Sequence, residues 1–434
     1  MNYNKPRLFL VSLLALCTAG IHFAIRSSVA GAIEAAYFTP IDKLKSAEMI
    51  GAVLGIAALG FAFTIAIGSP LLDYLGMGRL LALSSLCFIV GTVIVVNAAS
   101  ISSDVYRTVW IGMVVIGIGW GLVETVINPL TTTLYPEEKT ARLNVLHAWW
   151  PGGIIIGGVL GVLLGNLDVT WQNKMYLTLL PAAAFGILCL FTKFPPTERI
   201  QSGLPASVMF QELKRPMFLV WFGSMFLTAA SELAPGQWVD IALTRTVGMQ
   251  GIWLLIYVSG LMFVMRHFAG PLAHKLSPVG LLWFSCLLAS LGLVALSYAN
   301  SPVTGLLAAT LWGTGVCYMW PTMLAAASER FPRGGTLLMG LMGTAGMLSI
   351  SWVLPELGRI YDAKKIEYAG GEAQFNALVG AAKEQILGAA SQISFRYVAV
   401  LPLVLLVVFG AIWQYERSRG GYKPEAIKSK AFAD

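Results

Sequence analysis

The chain has 434 residues, of which 57% are apolar and only 12% charged, and its mean hydropathy is +0.73. A soluble protein of this length needs far more charge to cover its surface, so the composition excludes one and sets the outer surface against lipid. The net charge of +7 does not point to nucleic acid, because the basic residues fall in short clusters between apolar spans, where orientation signals belong.

The apolar run after Lys5 and Arg7 superficially resembles a signal peptide. It continues for roughly twenty residues or more without a convincing small-residue cleavage site, so it reads as a retained first membrane helix. Spanning hydrocarbon takes about 20 apolar residues. Helix cores then fall at 8–36, 47–70, 79–99, 106–134, 142–166, 174–192, 216–236, 249–269, 278–297, 303–327, 335–356 and 394–415. The uncharged stretch 276–328 is too long for one span, and the turn Tyr298-Ala299-Asn300-Ser301-Pro302 divides it.

The expectation is an all-α integral membrane protein with twelve transmembrane helices in two pseudo-symmetric six-helix bundles. The N-terminal bundle covers 1–192 and the C-terminal bundle 216–416. Between them lies a linker, 193–215, marked by Pro195-Pro196 and mixed charge, and a basic tail follows over 417–434. Basic residues are more numerous on the side that carries both termini, so both termini are expected in the cytoplasm, in a bacterial-type inner (plasma) membrane. The last outer loop, 359–396, is expected to be partly helical. Cys17, Cys87, Cys189, Cys286 and Cys317 are scattered singly in apolar segments, without metal-ligand spacing, and read as small packing residues.

The two halves carry traces of each other. Trp120-Gly121 precedes Pro129 in span four, and Trp312-Gly313 precedes Pro321 in span ten with the same spacing. The loop Ser69-Pro70-Leu71-Leu72-Asp73-Tyr74-Leu75-Gly76-Met77-Gly78-Arg79 after span two corresponds to Gly270-Pro271-Leu272-Ala273-His274-Lys275-Leu276-Ser277 after span eight. Here the chain resembles the major facilitator superfamily, whose loop after the second span has the pattern Gly-x-Leu-Ala-Asp-Arg-x-Gly-Arg-Lys. Asp73, Gly76 and a basic Arg79 are kept, whereas Ser69 replaces the first glycine and His274 replaces the second-half aspartate. The inner loops supply the gating candidates Asp73, Arg79, Arg142, His274 and Arg333.

An ionisable side chain in hydrocarbon costs several kcal/mol unless paired or hydrated, so each one is a functional candidate. His22 and Arg26 share a face of span one. Arg26 is placed either to neutralise Glu124 or to receive an anionic substrate, with a structural ion pair as the competing reading. Glu34 lies nearer the outer surface. Glu124 opens the run Glu124-Thr125-Val126-Ile127-Asn128-Pro129, where a carboxylate can bind and release a proton as solvent access changes. In span five His147 and Trp150 share a face, a donor and a flat ring suited to a pyranose; an interfacial anchor is the plainer reading of the tryptophan. Glu232 precedes Pro235-Gly236-Gln237-Trp238, a helix interruption of the kind that frees backbone groups for ligands. Tyr318 and Trp320 are candidate cavity aromatics in span ten, with core packing the equal alternative. Arg266 and His267 are read as lying at the inner mouth.

Glu-Thr-x-x-Asn-Pro in span four, with Arg142-Leu143-Asn144 opening span five, is similar to the fucose:proton symporter family. That resemblance implies a sugar carried with protons or sodium, with Glu124 as the family's span-four acid and His147 and Trp150 where amides contact sugar in some members. The family's span-one aspartate falls at Gly31 here, and Glu34, three residues on, is its substitute.

The expected function is secondary active transport of a small polar solute, a sugar first, by ion-coupled symport with alternating access. An organic anion or acidic sugar received by Arg26, or drug export, is the alternative. Ion coupling is assigned to Glu124, Glu34 and Glu232, and substrate binding to His22, Arg26, Glu124, Asn128, His147, Trp150, Glu232, Gln237, Trp238, Tyr318 and Trp320. No intramembrane nucleophile and base, and no paired metal ligands, suggest an enzyme. No cofactor is expected beyond H+ or Na+, and the expected partners are the solute and the bilayer, with no nucleic acid and a monomeric chain.

Overall fold

The computed structural model describes residues 3–42, 45–247 and 251–425, with side chains 47, 48, 236–247, 251, 252, 255 and 354 outside the description. All regular structure among the described residues is helical. The long helices are α1 (Lys5–Ser28), α2 (Ser46–Leu75), α3 (Met77–Val96), α4 (Val105–Leu134), α5 (Lys139–Asn166) and α6 (Trp171–Leu177 and Leu179–Leu190). The second set is α7 (Pro216–Val247), α8 (Gly251–Arg266), α9 (Ala269–Leu296), α10 (Pro302–Val316 and Met319–Arg330), α11 (Gly335–Ala369) and α12 (Gly380–Ser418). Ten described helices are long and apolar enough to cross a membrane. The shorter α8 and the divided α10 complete the twelve.

Local chemistry explains the ends. Asn4 Oδ1 accepts the Arg7 N–H at 3.0 Å, and Pro6 stands in the first turn of α1, where a missing N–H costs nothing. α2 stops at Gly76, whose φ of 84° lets the chain turn sharply into α3. The loop expected at 270–277 is itself one helical segment, separated from the rest of α9 by a kink at Ser277, with φ 64°. The expected outer loop 359–396 is mostly helix, because α11 runs on to Ala369 and α12 starts at Gly380.

Packing repeats between the halves. α1 lies on α5 as α7 lies on α11, α2 on α4 as α8 on α10, and α3 on α4 and α6 as α9 on α10 and α12. The halves meet where α2 contacts α11 and α5 contacts α8. Phe63, Leu163, Leu307 and Val407 are among the large apolar side chains left exposed on the outside, as a lipid-facing surface requires.

The α1–α5 seam is made of small residues. Gly20, Ala24 and Ser28 on α1 face Gly153, Gly157 and Gly161 on α5, and a Cβ on Gly153 would overlap the Cys17 carbonyl. Small residues at four-residue spacing let two backbones approach closely in a membrane bundle.

The halves are also tied at the end that carries both termini. Thr336 Oγ1 donates to the Ser69 carbonyl at 2.7 Å, and Thr140 Oγ1 to Glu329 at 3.2 Å. The linker lies across this end, where Asp73 pairs with Arg199 and accepts from Thr197, and Lys139 pairs with Glu198 at 2.8 Å.

Candidate functional site

Midway along the bundle, α4 and α5 bring four sequence candidates together. Asn128 Nδ2 donates to Glu124 Oε2 at 2.7 Å, one helical turn along α4. Asn128 Oδ1 lies 2.8 Å from His147 Nε2 on α5, and that nitrogen is 4.0 Å from Glu124 Oε2. All three side chains are buried. One turn along α4 from Glu124 stands Trp120, and three residues along α5 from His147 stands Trp150. These two indoles stack in parallel, with centroids 4.8 Å apart and planes at 6°. Phe61 packs against Trp120 and Phe23 against Trp150. The same two helix faces thus present a polar carboxylate–amide–imidazole chain and, beside it, a flat aromatic wall.

A second network joins this one from the C-terminal half. Arg266, at the end of α8, is buried, and its guanidinium holds three acceptors. Nη2 donates to Glu232 Oε1 on α7 at 2.9 Å. Nη1 donates to the His147 carbonyl at 2.7 Å, and Nε to the Cys317 carbonyl at 2.5 Å. Both carbonyls are available for one reason. Pro151 and Pro321 stand four residues on and lack the N–H that would close the helical bond. A third proline does the same on α7: Pro235 frees the Ser231 carbonyl, which accepts Trp312 Nε1 at 3.2 Å.

Arg266 is thus the buried cation of this network, with Glu232 as its counter-charge. It was read at the inner mouth because it closes a short span, whereas it reaches inward to a carboxylate that needs a cation. The signal in the sequence was the coincidence of Glu232 with prolines at 151 and 321. Arg26 itself makes no ion pair among the described residues, so the expected pairing with Glu124 is corrected. It is buried on the same α1 face as His22, whose ring stacks on Phe88 of α3 at 4.6 Å. His22 Nε2 and Arg26 Nε have no hydrogen-bond partner among the described residues.

The remaining candidates are dispersed. Glu34 lies in a π-helical turn at the outer end, where its Oε1 accepts from Ser46 at 2.7 Å. Tyr318 is buried and donates to the Met265 carbonyl at 3.1 Å, and Trp320 is buried in the core. Trp149 meets Phe263 of α8 edge-on. The side chains of Gln237 and Trp238 lie outside the described residues. Among the gating candidates Asp73 is held by Arg199, and Arg142 by Glu138 at 2.8 Å. Arg79, His274 and Arg333 are exposed.

A sequence profile of the Major Facilitator Superfamily matches residues 6–353. The chain belongs to that superfamily and is a membrane transporter rather than an enzyme. Over 148 residues it is 26% identical to myo-inositol transporter 1 of Saccharomyces cerevisiae, a match covering 33% of this chain and only 24% of the yeast protein. The fold is similar to the E. coli fucose:proton symporter FucP, at 17% identity and a TM-score of 0.66 over 92% of this chain and 99% of that one. It is also similar to the proton:xylose symporter XylE bound to 6-bromo-6-deoxy-D-glucose, at 15% identity and a TM-score of 0.71 over 94% and 95% of the two chains. The human organic anion transporter TETRAN matches at 14% identity and a TM-score of 0.71, over 94% of this chain and 100% of that one.

Proposed function

We propose that this transporter moves a small polyhydroxylated solute, a sugar or polyol, by proton symport, with Glu124 carrying the proton. The observation that carries this reading is the pairing of the Glu124–Asn128–His147 chain with the Trp120–Trp150 stack on the same faces of α4 and α5. A sugar ring presents a CH face to an indole and hydroxyls to polar groups, and parting of the Trp120–Trp150 stack beside the polar chain would present both. A proton suits Glu124 better than sodium does, because its nearest partner is an amide N–H donor rather than a shell of oxygens. Similarity to the fucose and xylose symporters and to the yeast inositol transporter supports the same solute class. The anion alternative rests on Arg26, which is buried in α1 without an ion pair among the described residues, and acidic solutes in the uptake panel test it. Alternating access would proceed by rocking of the two halves about the site, in a bacterial-type inner membrane with both termini cytoplasmic.

The test is uptake into proteoliposomes of radiolabelled neutral sugars, polyols and acidic sugars under an imposed proton or sodium gradient. The wild type is expected to accumulate a neutral solute under the proton gradient. Glu124→Gln is expected to keep solute exchange and lose accumulation. Uptake of acidic solutes alone, drive by sodium alone, or accumulation retained in Glu124→Gln would each overturn the reading.

A further inference from the structure

We infer that Arg266 is the deep tie between the two halves, and that its hold on the His147 carbonyl biases alternating access toward the state closed at the terminal end. Two of its three acceptors, Glu232 Oε1 and the Cys317 carbonyl, belong to the same half as Arg266. The third, the His147 carbonyl, belongs to the other half. When the halves rock apart at this end, the guanidinium stays with α7 and α10, and the bond to α5 is the one that breaks. An interaction made in one state and lost in the other shifts the equilibrium between them by its own strength. This one is strong by construction. Its donor is a charged, planar guanidinium, and its acceptor is a buried carbonyl that Pro151 leaves without an intrahelical partner. Nearer the terminal end, Asn144 Nδ2 to Thr322 at 3.2 Å and Thr140 to Glu329 at 3.2 Å join the same pair of helices, α5 and α10. Both are longer than the 2.7 Å bond from Arg266, and Arg266 alone among the three supplies a charged donor.

The inference uses only the transporter class of the protein and neither the sugar nor the role of Glu124. It is therefore tested without solute or gradient. Spin labels placed through Glu137→Cys, on an exposed turn, and Lys275→Cys, on the exposed first segment of α9, line one cleft between opposite halves at the terminal end. Four native cysteines are buried, and the half-buried Cys87 is replaced by Ser. Dipolar distance distributions then give the ratio of open to closed molecules in the full-length protein.

The decisive variants leave Arg266 in place. Pro151→Ala restores an N–H to α5, which closes the helical bond to the His147 carbonyl and competes with Arg266 for that oxygen, weakening the cross-half bond. It is expected to raise the open-to-closed ratio severalfold, up to the roughly tenfold of a fully lost charge-assisted hydrogen bond. Pro321→Ala makes the same chemical change at the Cys317 carbonyl, within one half, and is expected to leave the ratio at the wild-type value. Arg266→Gln is expected to move the ratio at least as far as Pro151→Ala; if it fails to fold, the two proline variants still decide. A pair of proline variants that act alike, or a larger shift in Pro321→Ala, overturns the inference.

Discussion

Replacing Glu232 by Gln is expected to cost the folded protein about 3–5 kcal/mol, the usual result of stranding a buried charge by removing its partner. Arg266 keeps its two carbonyls in that variant, but its formal charge loses the counter-charge 2.9 Å away in a buried site. Arg266→Met is expected to cost more. It leaves the Glu232 carboxylate without its counter-charge and two proline-freed carbonyls without the guanidinium, and each orphaned buried acceptor adds about 1–3 kcal/mol. In the double variant Glu232→Gln, Arg266→Met no charge remains, so the loss is expected to be smaller than the sum of the singles. Reversible unfolding in mixed micelles, run as a double-mutant cycle, measures all three. Additive losses would mean that the two side chains do not depend on each other.

That cycle bears on how much of this site was readable beforehand. Glu124, Asn128, His147 and Trp150 stood out because polar groups within apolar spans are rare, and α4 and α5 do bring them together. The all-helical, many-span architecture followed from apolar length, whereas the two repeated motifs expected as loops lie largely in helix, at the end of α2 and the start of α9. The partnerships did not follow. His22 and Arg26 lie one turn apart, and spacing alone cannot say which way that face turns; the His22 ring stacks on Phe88 of α3. Arg266 was misjudged because a cation ending a span reads as an orientation signal. Its true role depends on backbone carbonyls, which sequence inspection passes over. Prolines 151, 235 and 321 were visible as helix breakers, yet each also exposes an acceptor four residues earlier, and in each case a donor from another helix fills it. Counting those acceptors against nearby buried donors would have predicted both the Arg266 and the Trp312 contacts.

The α1–α5 seam was equally unread, although its spacing is plain once the partner helix is known, and it carries the second large effect. Gly153→Val is expected to prevent normal assembly of the first six helices, at the upper end of the roughly 1–3 kcal/mol that overpacking costs or beyond it. The obstruction is backbone rather than a yielding side chain: the added carbon would overlap the Cys17 carbonyl and lie 3.0 Å from the Gly20 Cα. Relief requires α1 and α5 to separate, which also opens Gly157 and Gly161 along the same seam. Gly158→Ala, one residue beyond Gly157 on another face, is the matched comparison. Its new methyl would meet Ile256 at 3.7 Å, an ordinary contact, and removing a mid-helix glycine is worth about 1 kcal/mol of helix propensity. Thermal unfolding of the purified protein, followed by tryptophan emission and by monodispersity on gel filtration, is expected to show a large loss for Gly153→Val and none for Gly158→Ala. Equal behaviour of the two would mean that α1 and α5 are held by the Trp150–Phe23 contact and its neighbours instead of by close backbone approach, and the small-residue seam would then be incidental to the fold.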